Sequence, residues 1–154
     1  MSKIIDRSIE IAYQLFPTAY EKKKGYQAFH FSFGWKKRRL LAIGQNDTYN
    51  QSAKALWFAK RFNNKKQITY PFLHAEVDLI SKMWGKIYVD NSVKVVVLRI
   101  NSRGELQNSK PCKSCMNMIS ALGIDKVWWS DSAGNIVSLH EQGIYSNGDE
   151  RHYT

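Results

Sequence analysis

The chain has 154 residues, of which 44% are hydrophobic and 23% charged, and its formal net charge is +10. This length suits one domain with a substantial core, so we expect a single domain over residues 1–154. The longest apolar run, within residues 95–100, is too short to cross a bilayer, and Asp6 and Glu10 interrupt the apolar N-terminal segment, which argues against a signal peptide and for a cytoplasmic protein.

The first half of the chain predicts a helix followed by a β-hairpin. Residues 3–16 have amphipathic helical spacing, and Pro17 is expected to stop or bend that helix. A basic loop up to residue 27 follows. "AFHFSF" then alternates in the manner of a strand, with "RRLLAIG" as its hairpin partner across "GWKK". Residues 50–62 suggest a further helix.

The second half alternates helices and strands more clearly. From His74 onward a core-facing helix is expected, with Val77, Ile80, Met83, Trp84 and Ile87 on its apolar face. The β-branched run at 93–100 predicts a central strand that is buried on both faces. "NSRGELQNSK" reads as a polar connection, and Pro111 opens a helix that runs to Leu122. "DKVWWS" and "NIVSL" predict a hairpin across "DSAG", and residues 141–154 predict a loose tail.

This order of elements, α-β-β-α-α-β-α-β-β, favours an α/β protein. Helices that alternate with strands cover both faces of a shared sheet. We therefore predict a three-layer α/β/α architecture with a central mixed sheet of about five strands.

Two short motifs suggest a metal site. Cys112 and Cys115 are the only cysteines, and their C-x-x-C spacing indicates a metal or redox site. His74 opens one helix and the cysteines open another, with a strand between them, so the two helix starts can meet. One imidazole and two thiolates suit zinc and leave a tetrahedral position for water. Glu76 would then be free to move protons.

Other interpretations of these residues remain open. A thioredoxin-like redox pair would explain the two cysteines but neither the histidine nor the glutamate. A purely structural zinc would need a fourth ligand, for which the candidates are His30, His140 and His152. An inactive relative that keeps its metal is a further alternative, against which the presence of Glu76 argues.

The combination of motifs resembles a known signature. H-A-E at residues 74–76, followed by P-C-K-S-C at residues 111–115, resembles the H-x-E…P-C-x-x-C pattern of the zinc-dependent cytidine/deoxycytidylate deaminase superfamily. By element order the resemblance covers residues 28–140. It implies a cytidine deaminase-like fold and one zinc ion per chain, held by His74, Cys112 and Cys115. It also implies hydrolytic deamination at C4 of cytosine or C6 of adenine, with Glu76 as the proton shuttle.

The resemblance also suggests substrate contacts. "LLAIGQND" resembles the second strand and following loop of the superfamily, where an asparagine often contacts the substrate sugar. Asn46 is therefore a candidate for that contact, and a turn asparagine is the alternative. The other candidate substrate-binding residues are Ala75, Pro111, Tyr70 and Trp129.

The charge distribution leaves the substrate class open. Residues 1–66 contain 14 Lys/Arg against 4 Asp/Glu, whereas residues 67–154 contain 9 of each. This basic half can attract phosphate or serve as a solvated face. With the aromatic residues near the expected mouth of the site, it would fit a single-stranded DNA or RNA deaminase. An open basic groove from "WKKRR" to the zinc would favour such a strand.

The short "DSAG" connection points the other way. It leaves room only for a turn, as in the free-cytidine branch of the superfamily and some bacterial toxin deaminases. This counts against a close match to either the polynucleotide or the deoxycytidylate branch. We therefore predict an enzyme of nucleotide metabolism that converts cytosine to uracil in cytidine or dCMP. The alternatives are a nucleic-acid-editing deaminase and a non-catalytic, zinc-stabilised module that binds nucleic acid. We expect no membrane partner, and a homo-oligomer through exposed Trp35 or Trp57 is possible.

Overall fold

The computed structural model describes residues 2–23, 25–26, 28–47, 57, 60–61, 74–86 and 89–142. The helix predicted over residues 50–62 lies almost wholly outside these residues, and so does the predicted tail beyond residue 142. None of the helices in the described part of the chain is long and apolar enough to span a membrane.

The described elements form a mixed sheet with helices on both faces. In chain order they are α1 Ser2–Lys22, β1 Ala28–Lys36, β2 Arg39–Gln45, α2 Ala75–Met83, β3 Val93–Asn101, β4 Leu106–Gln107, α3 Lys113–Ala121, β5 Lys126–Ser130, β6 Ile136–Ser138 and α4 Leu139–Gln142. The sheet order is β2-β1-β3-β5-β6, and β4 pairs with β3 as a sixth strand. Only the β3–β5 pair among these is parallel. The predicted α/β/α architecture is confirmed.

Strand β3 separates two hydrophobic cores because its side chains alternate between the faces of the sheet. Val93, Val95 and Val97 pack with α2 and α3. Their neighbours Val96 and Leu98 pack under α1, together with the row of Phe side chains on β1. The prediction of a central strand buried on both faces is therefore confirmed, and the α2–α3 face is the one that carries the chemistry described below.

Helix α1 passes through Pro17 instead of stopping there. Proline removes one helical hydrogen bond at the position of the Tyr13 carbonyl. The turns on either side are held on β1 by aromatic contacts, since Phe29 lies 5.3 Å from Phe16 and 6.0 Å from Tyr20 between ring centroids. Packing on the sheet thus outweighs the local effect of Pro17. Of the two expected effects of Pro17, a stop or a bend, the stop was wrong.

The connection after β3 is also more ordered than expected. It folds back as the short strand β4, which pairs with the end of β3. The side-chain oxygen of Asn101 accepts hydrogen bonds from the backbone N–H groups of Arg103 and Glu105, and Gly104 adopts a positive φ of 81°. Helix α3 follows this hairpin. It begins at Lys113, two residues after Pro111, where the sequence predicted its start.

Two tryptophans lie where their sequence context did not place them. Trp84 was expected on the core face of α2, but it follows the last helical residue and is 42% exposed. Trp35, expected to be exposed, is fully buried beneath α1, where its indole N–H donates to the Ser8 hydroxyl at 2.9 Å. Trp35 therefore cannot serve an interface between subunits. Trp57 is 52% exposed, and a homo-oligomer stays a prediction.

Helix α2 lies against the sheet at a glycine. A Cβ atom on Gly44 of β2 would overlap the carbonyl oxygen of Ala75 and lie 2.6 Å from the backbone nitrogen of Leu79. These are backbone atoms of α2 and cannot rotate away. Gly44 is therefore required by the close approach of α2 to the sheet.

We predict that Gly44→Ala lowers the free energy of unfolding by about 1–3 kcal/mol, because α2 must move to admit the methyl group. Gly34→Ala is the matched control on the neighbouring strand. Its Cβ would meet the flexible Met83 side chain first, with the sulfur at 2.7 Å, so a smaller loss is expected. Urea unfolding of both variants measures the difference, and equal losses would contradict the role assigned to Gly44.

Candidate metal centre

The two motifs occupy the starts of helices on the same face of the sheet. His74 is the N-cap of α2, with extended backbone at φ −75° and ψ 143°. Cys112 is the N-cap of α3, and its sulfur accepts a hydrogen bond from the backbone N–H of Cys115 at 3.4 Å. The C-x-x-C spacing therefore places one sulfur at the cap and the other in the first turn, so both can face His74.

The distances between the three side chains fit a zinc ion. Nδ1 of His74 lies 3.4 Å from the Cys115 sulfur and 3.8 Å from the Cys112 sulfur. A tetrahedral zinc with ordinary bond lengths requires nitrogen–sulfur separations of about 3.6 Å. The three side chains could therefore hold zinc with little movement.

Within the described residues, no fourth metal-binding side chain joins this group. His30 and His140, the described candidates for a fourth structural ligand, are not part of it, and His152 lies outside the described residues. Three protein ligands are typical of catalytic zinc sites, in which the fourth position is open to water or substrate.

The pKa values of the two thiols differ because a hydrogen bond joins their side chains. A hydrogen bond from Cys115 is the largest cause that lowers the pKa of Cys112, to about 4, with His74 as a further cause. The same hydrogen bond, together with burial, raises the pKa of Cys115 well above its usual range. Cys112 is thus ready to ligate as a thiolate, and metal binding would displace the remaining proton from Cys115.

Glu76 lies beside the ligands in the first turn of α2 and is 6% exposed. Burial raises the pKa of its carboxyl group to about 7, against the opposing effect of His74. The carboxyl group is in hydrogen-bond contact with Cys115, yet it is not one of the three clustered ligands. A carboxyl group with such a pKa can accept and return a proton near neutral pH.

Hydrogen bonds to the sheet fix the turn that carries His74 and Glu76. The hydroxyl of Ser32 on β1 donates to the carbonyl of Ala75 at 2.6 Å. One turn further along, a carboxylate oxygen of Asp78 accepts from the backbone N–H of Gln45 at 2.9 Å, and Lys82 pairs with Asp78 at 3.0 Å. The first turns of α2 are therefore tied to both β1 and β2.

A buried pair of serines positions the segment before the cysteines. The hydroxyl oxygen of Ser109 lies 2.7 Å from the carbonyl of Val97 and 2.8 Å from the hydroxyl of Ser130, and it accepts from the backbone N–H of Ser130 at 2.8 Å. The Ser130 hydroxyl lies 2.6 Å from the carbonyl of Gln107. Sequence reasoning missed this cluster, because a single serine in a polar segment carries no periodic signal.

Asn46 lies beside β1 at this end of the sheet. Its side-chain oxygen accepts from the backbone N–H of His30 at 2.9 Å, and its amide nitrogen donates to the carbonyl of Ala28 at 3.2 Å. The ammonium group of Lys23 donates to the Asn46 carbonyl. Asn46 thus ties the end of β2 to β1, and its contact with a substrate sugar stays a prediction.

The other candidate substrate residues differ in position. Ala75 and Pro111 are buried beside the metal ligands. Trp129 packs in the core between the sheet and α2–α3 and is only 2% exposed. The ammonium group of Lys110 lies 5.6 Å from the centre of a Trp129 ring. Tyr70 lies outside the described residues. The proposed contacts of all four with a substrate stay predictions.

Comparisons with known proteins give the fold. No protein-family model matches the chain, and no curated protein matches it either. Among solved structures, the fold is that of the cytidine deaminases, and the resemblance noted in the sequence is confirmed at this level. The His74, Cys112 and Cys115 group fits the zinc site that this resemblance implies.

Two of these structures show the extent of the similarity. One is dCMP deaminase from the cyanophage S-TIM5, with a TM-score of 0.53, 19% identity and 86% of each chain covered. The other is cytidine deaminase from Mycobacterium leprae, with a TM-score of 0.51 and 16% identity, covering 89% of this chain and 94% of that one. At these identities the similarity concerns the fold.

We predict that the purified protein contains one zinc ion per chain and that Cys115→Ala loses it. The reason is that two protein ligands bind zinc much more weakly than three. Elemental analysis gives the zinc content, and thermal unfolding should show a lower midpoint for the variant or after chelation. Ser114→Ala, between the two cysteines, is the control that should keep the metal. Zinc retained in Cys115→Ala would contradict the ligand assignment.

Ser109→Ala should lower the free energy of unfolding by about 1–3 kcal/mol, because buried partners of its hydroxyl lose their hydrogen bonds. We also expect zinc affinity to fall by roughly 10-fold, since Ser109 holds the segment that leads to Cys112. Competition with a chromophoric chelator measures the affinity. Ser102→Ala, on the exposed turn of the same hairpin, should change neither quantity.

Proposed function

We propose that this protein is a zinc-dependent hydrolytic deaminase that converts cytosine to uracil in a free nucleoside or nucleotide, either cytidine or dCMP. The observation that carries the proposal is the position of Glu76, a buried carboxyl group next to three zinc-type ligands without being one of them. A zinc ion with a purely structural role does not require a carboxyl group that transfers protons. A hydrolytic site needs it to transfer protons.

The reaction consumes one water molecule and moves both of its protons to the base. Zinc held by the three side chains would lower the pKa of a water molecule, so that it can act as a nucleophile near neutral pH. Glu76 accepts the first proton as the water oxygen bonds to C4 of cytosine, and it delivers that proton to N3. Glu76 then accepts the second proton of the water and transfers it to the 4-amino group. The C4–N bond then breaks, ammonia leaves and the C4 carbonyl of uracil forms.

The position of the basic "WKKRR" turn supports a small substrate. Ser32 of β1 lies under the first turn of α2, and β1 runs away from that point. Lys37 and Arg38, at the tip of the hairpin, are therefore roughly 17 Å further along the strand. A basic track from this turn to the metal centre would have to cross that distance, so the turn offers little support for a nucleic-acid strand.

The end of the sheet also supports a small substrate. β5 and β6 are antiparallel, as the short "DSAG" connection predicted. The sequence resemblance associates such a connection with the free-cytidine branch of the superfamily and with some bacterial toxin deaminases. The thiolate ligands further suit a reducing compartment, and we include a cytoplasmic location in the proposal.

The proposal predicts that Glu76→Gln lowers turnover by about 10²–10⁴-fold, because the variant cannot accept a proton from water. Zinc content and thermal stability should be retained, since glutamine preserves the shape of the buried side chain. The assay offers cytidine, dCMP and a cytosine-containing single-stranded oligonucleotide in parallel, and mass spectrometry detects the deaminated base. Glu105→Gln, an exposed carboxylate on the β3–β4 turn, is the matched control.

Three outcomes would count against this assignment. Activity retained in Glu76→Gln would contradict the proton shuttle. Turnover of the oligonucleotide alone would make the protein a nucleic-acid-editing enzyme. Zinc binding without turnover of any of the three substrates would favour the non-catalytic module.

A further inference from the structure

A pair of basic side chains lies on the sheet next to the metal centre. Ser32 pairs with Val97 across β1 and β3, and this rung lies under Ala75. The next rung on the same face, two residues away, pairs His30 with Arg99. The alternation of β3 places Arg99 on the face that carries α2 and α3, together with Val97. The electrostatic influence of His74 on His30 is consistent with this placement.

Arg99 is a cation without a counter-charge in the described part of the chain. Its Nε atom is buried and has no hydrogen-bond partner. The ion pairs formed among the described residues are those of Lys82 and Arg103, and neither includes Arg99. An unsatisfied buried donor costs stability and calls for an explanation in function or ligand binding.

His30 does not compensate for this charge. Burial, followed by the charges of Arg99 and His74, lowers the pKa of His30 to about 3. The imidazole is therefore neutral near pH 7, and the rung carries the single positive charge of the guanidinium. A neutral imidazole next to it can still donate or accept a hydrogen bond.

We propose that Arg99, with His30 at its side, binds the phosphate group of a nucleotide substrate. This inference rests on the proposed function and narrows its substrate class to nucleoside monophosphates. A guanidinium group matches phosphate oxygens with two parallel N–H donors. The backbone N–H of Asn46 donates to the His30 carbonyl at 3.3 Å, so the residue expected to contact the sugar borders the same rung. The base of the nucleotide would thus lie at the metal centre and its sugar at Asn46. Its phosphate would lie at Arg99.

The test measures binding and turnover in the zinc-loaded protein. Calorimetry compares dUMP with deoxyuridine, and the deamination assay compares dCMP with deoxycytidine. We expect the wild type to prefer each nucleotide by roughly 10- to 100-fold, the effect of charge-assisted hydrogen bonds. Arg99→Gln should remove that preference, because it raises Kd for dUMP and KM for dCMP by a much larger factor than KM for deoxycytidine. Arg99→Lys should restore only part of it.

Arg103→Gln is the matched control, because Arg103 lies on the same hairpin and is 81% exposed at its side chain. It should leave the nucleotide preference intact. The thermal unfolding midpoint of Arg99→Gln separates this role from a structural one. If Arg99 stabilised the fold, the midpoint of the variant would fall. Arg99→Gln should keep or raise the midpoint, because it removes the buried Nε donor that has no hydrogen-bond partner among the described residues. A marked loss of stability would make Arg99 a structural residue and overturn the inference.

The outcomes separate this inference from the proposed function. Turnover of both substrates with no effect of Arg99→Gln on dUMP binding would overturn the phosphate site and leave the deaminase intact. Binding of dUMP that depends on Arg99, without any turnover, would support the phosphate site and reject the deaminase. If Arg99→Gln weakened binding of an oligonucleotide but not of dUMP, the phosphate would belong to a strand, and the inference would fail.

Discussion

The close contact between helix α2 and the sheet is the constraint on which the candidate metal centre depends. Gly44 has no side chain to hold the helix away, and the Ser32 hydroxyl then ties the Ala75 carbonyl to β1. This contact fixes how far His74 and Glu76 lie from the sheet. Helix α3 must reach the same height, and the hydrogen bonds of Ser109 fix the segment that leads to it. A zinc site tolerates only small errors in ligand position, so both supports are needed.

Burial is a main cause of the pKa shifts around this centre. It raises the pKa of Glu76, it contributes to the high pKa of Cys115, and it keeps His30 neutral. The Nε atom of Arg99 is buried and has no hydrogen-bond partner within the described residues. Burying such polar groups costs folding free energy. Glu76 and Cys115 lie in the first turns of α2 and α3, and His30 and Arg99 lie on the strands below them. Clusters of groups with shifted pKa values are typical of functional sites, where the arrangement that catalysis needs lowers the stability of the fold.

The predictions succeeded where the information is local in sequence. Alternating Phe residues identified β1, and the β-branched run identified β3 as the central strand. The predictions failed where packing overrides a local signal. Pro17 does not end α1, because aromatic contacts hold the helix on β1. Trp84 continues the apolar pattern of α2, yet it follows the last helical residue and is exposed. The turn before β4 depends on the Asn101 side chain, which no periodicity reveals.

The sequence by itself determined the fold class and the zinc-type ligands of the candidate site. Spacing such as H-x-E and C-x-x-C is a property of neighbouring residues, and helix geometry converts it directly into side chains on one face. Only the tertiary structure decided which distant groups meet there. The contact of Ser109 with Ser130 and the rung of His30 and Arg99 join residues 21 and 69 positions apart. Strand register creates these contacts, and register depends on the packing of the whole sheet rather than on any short segment.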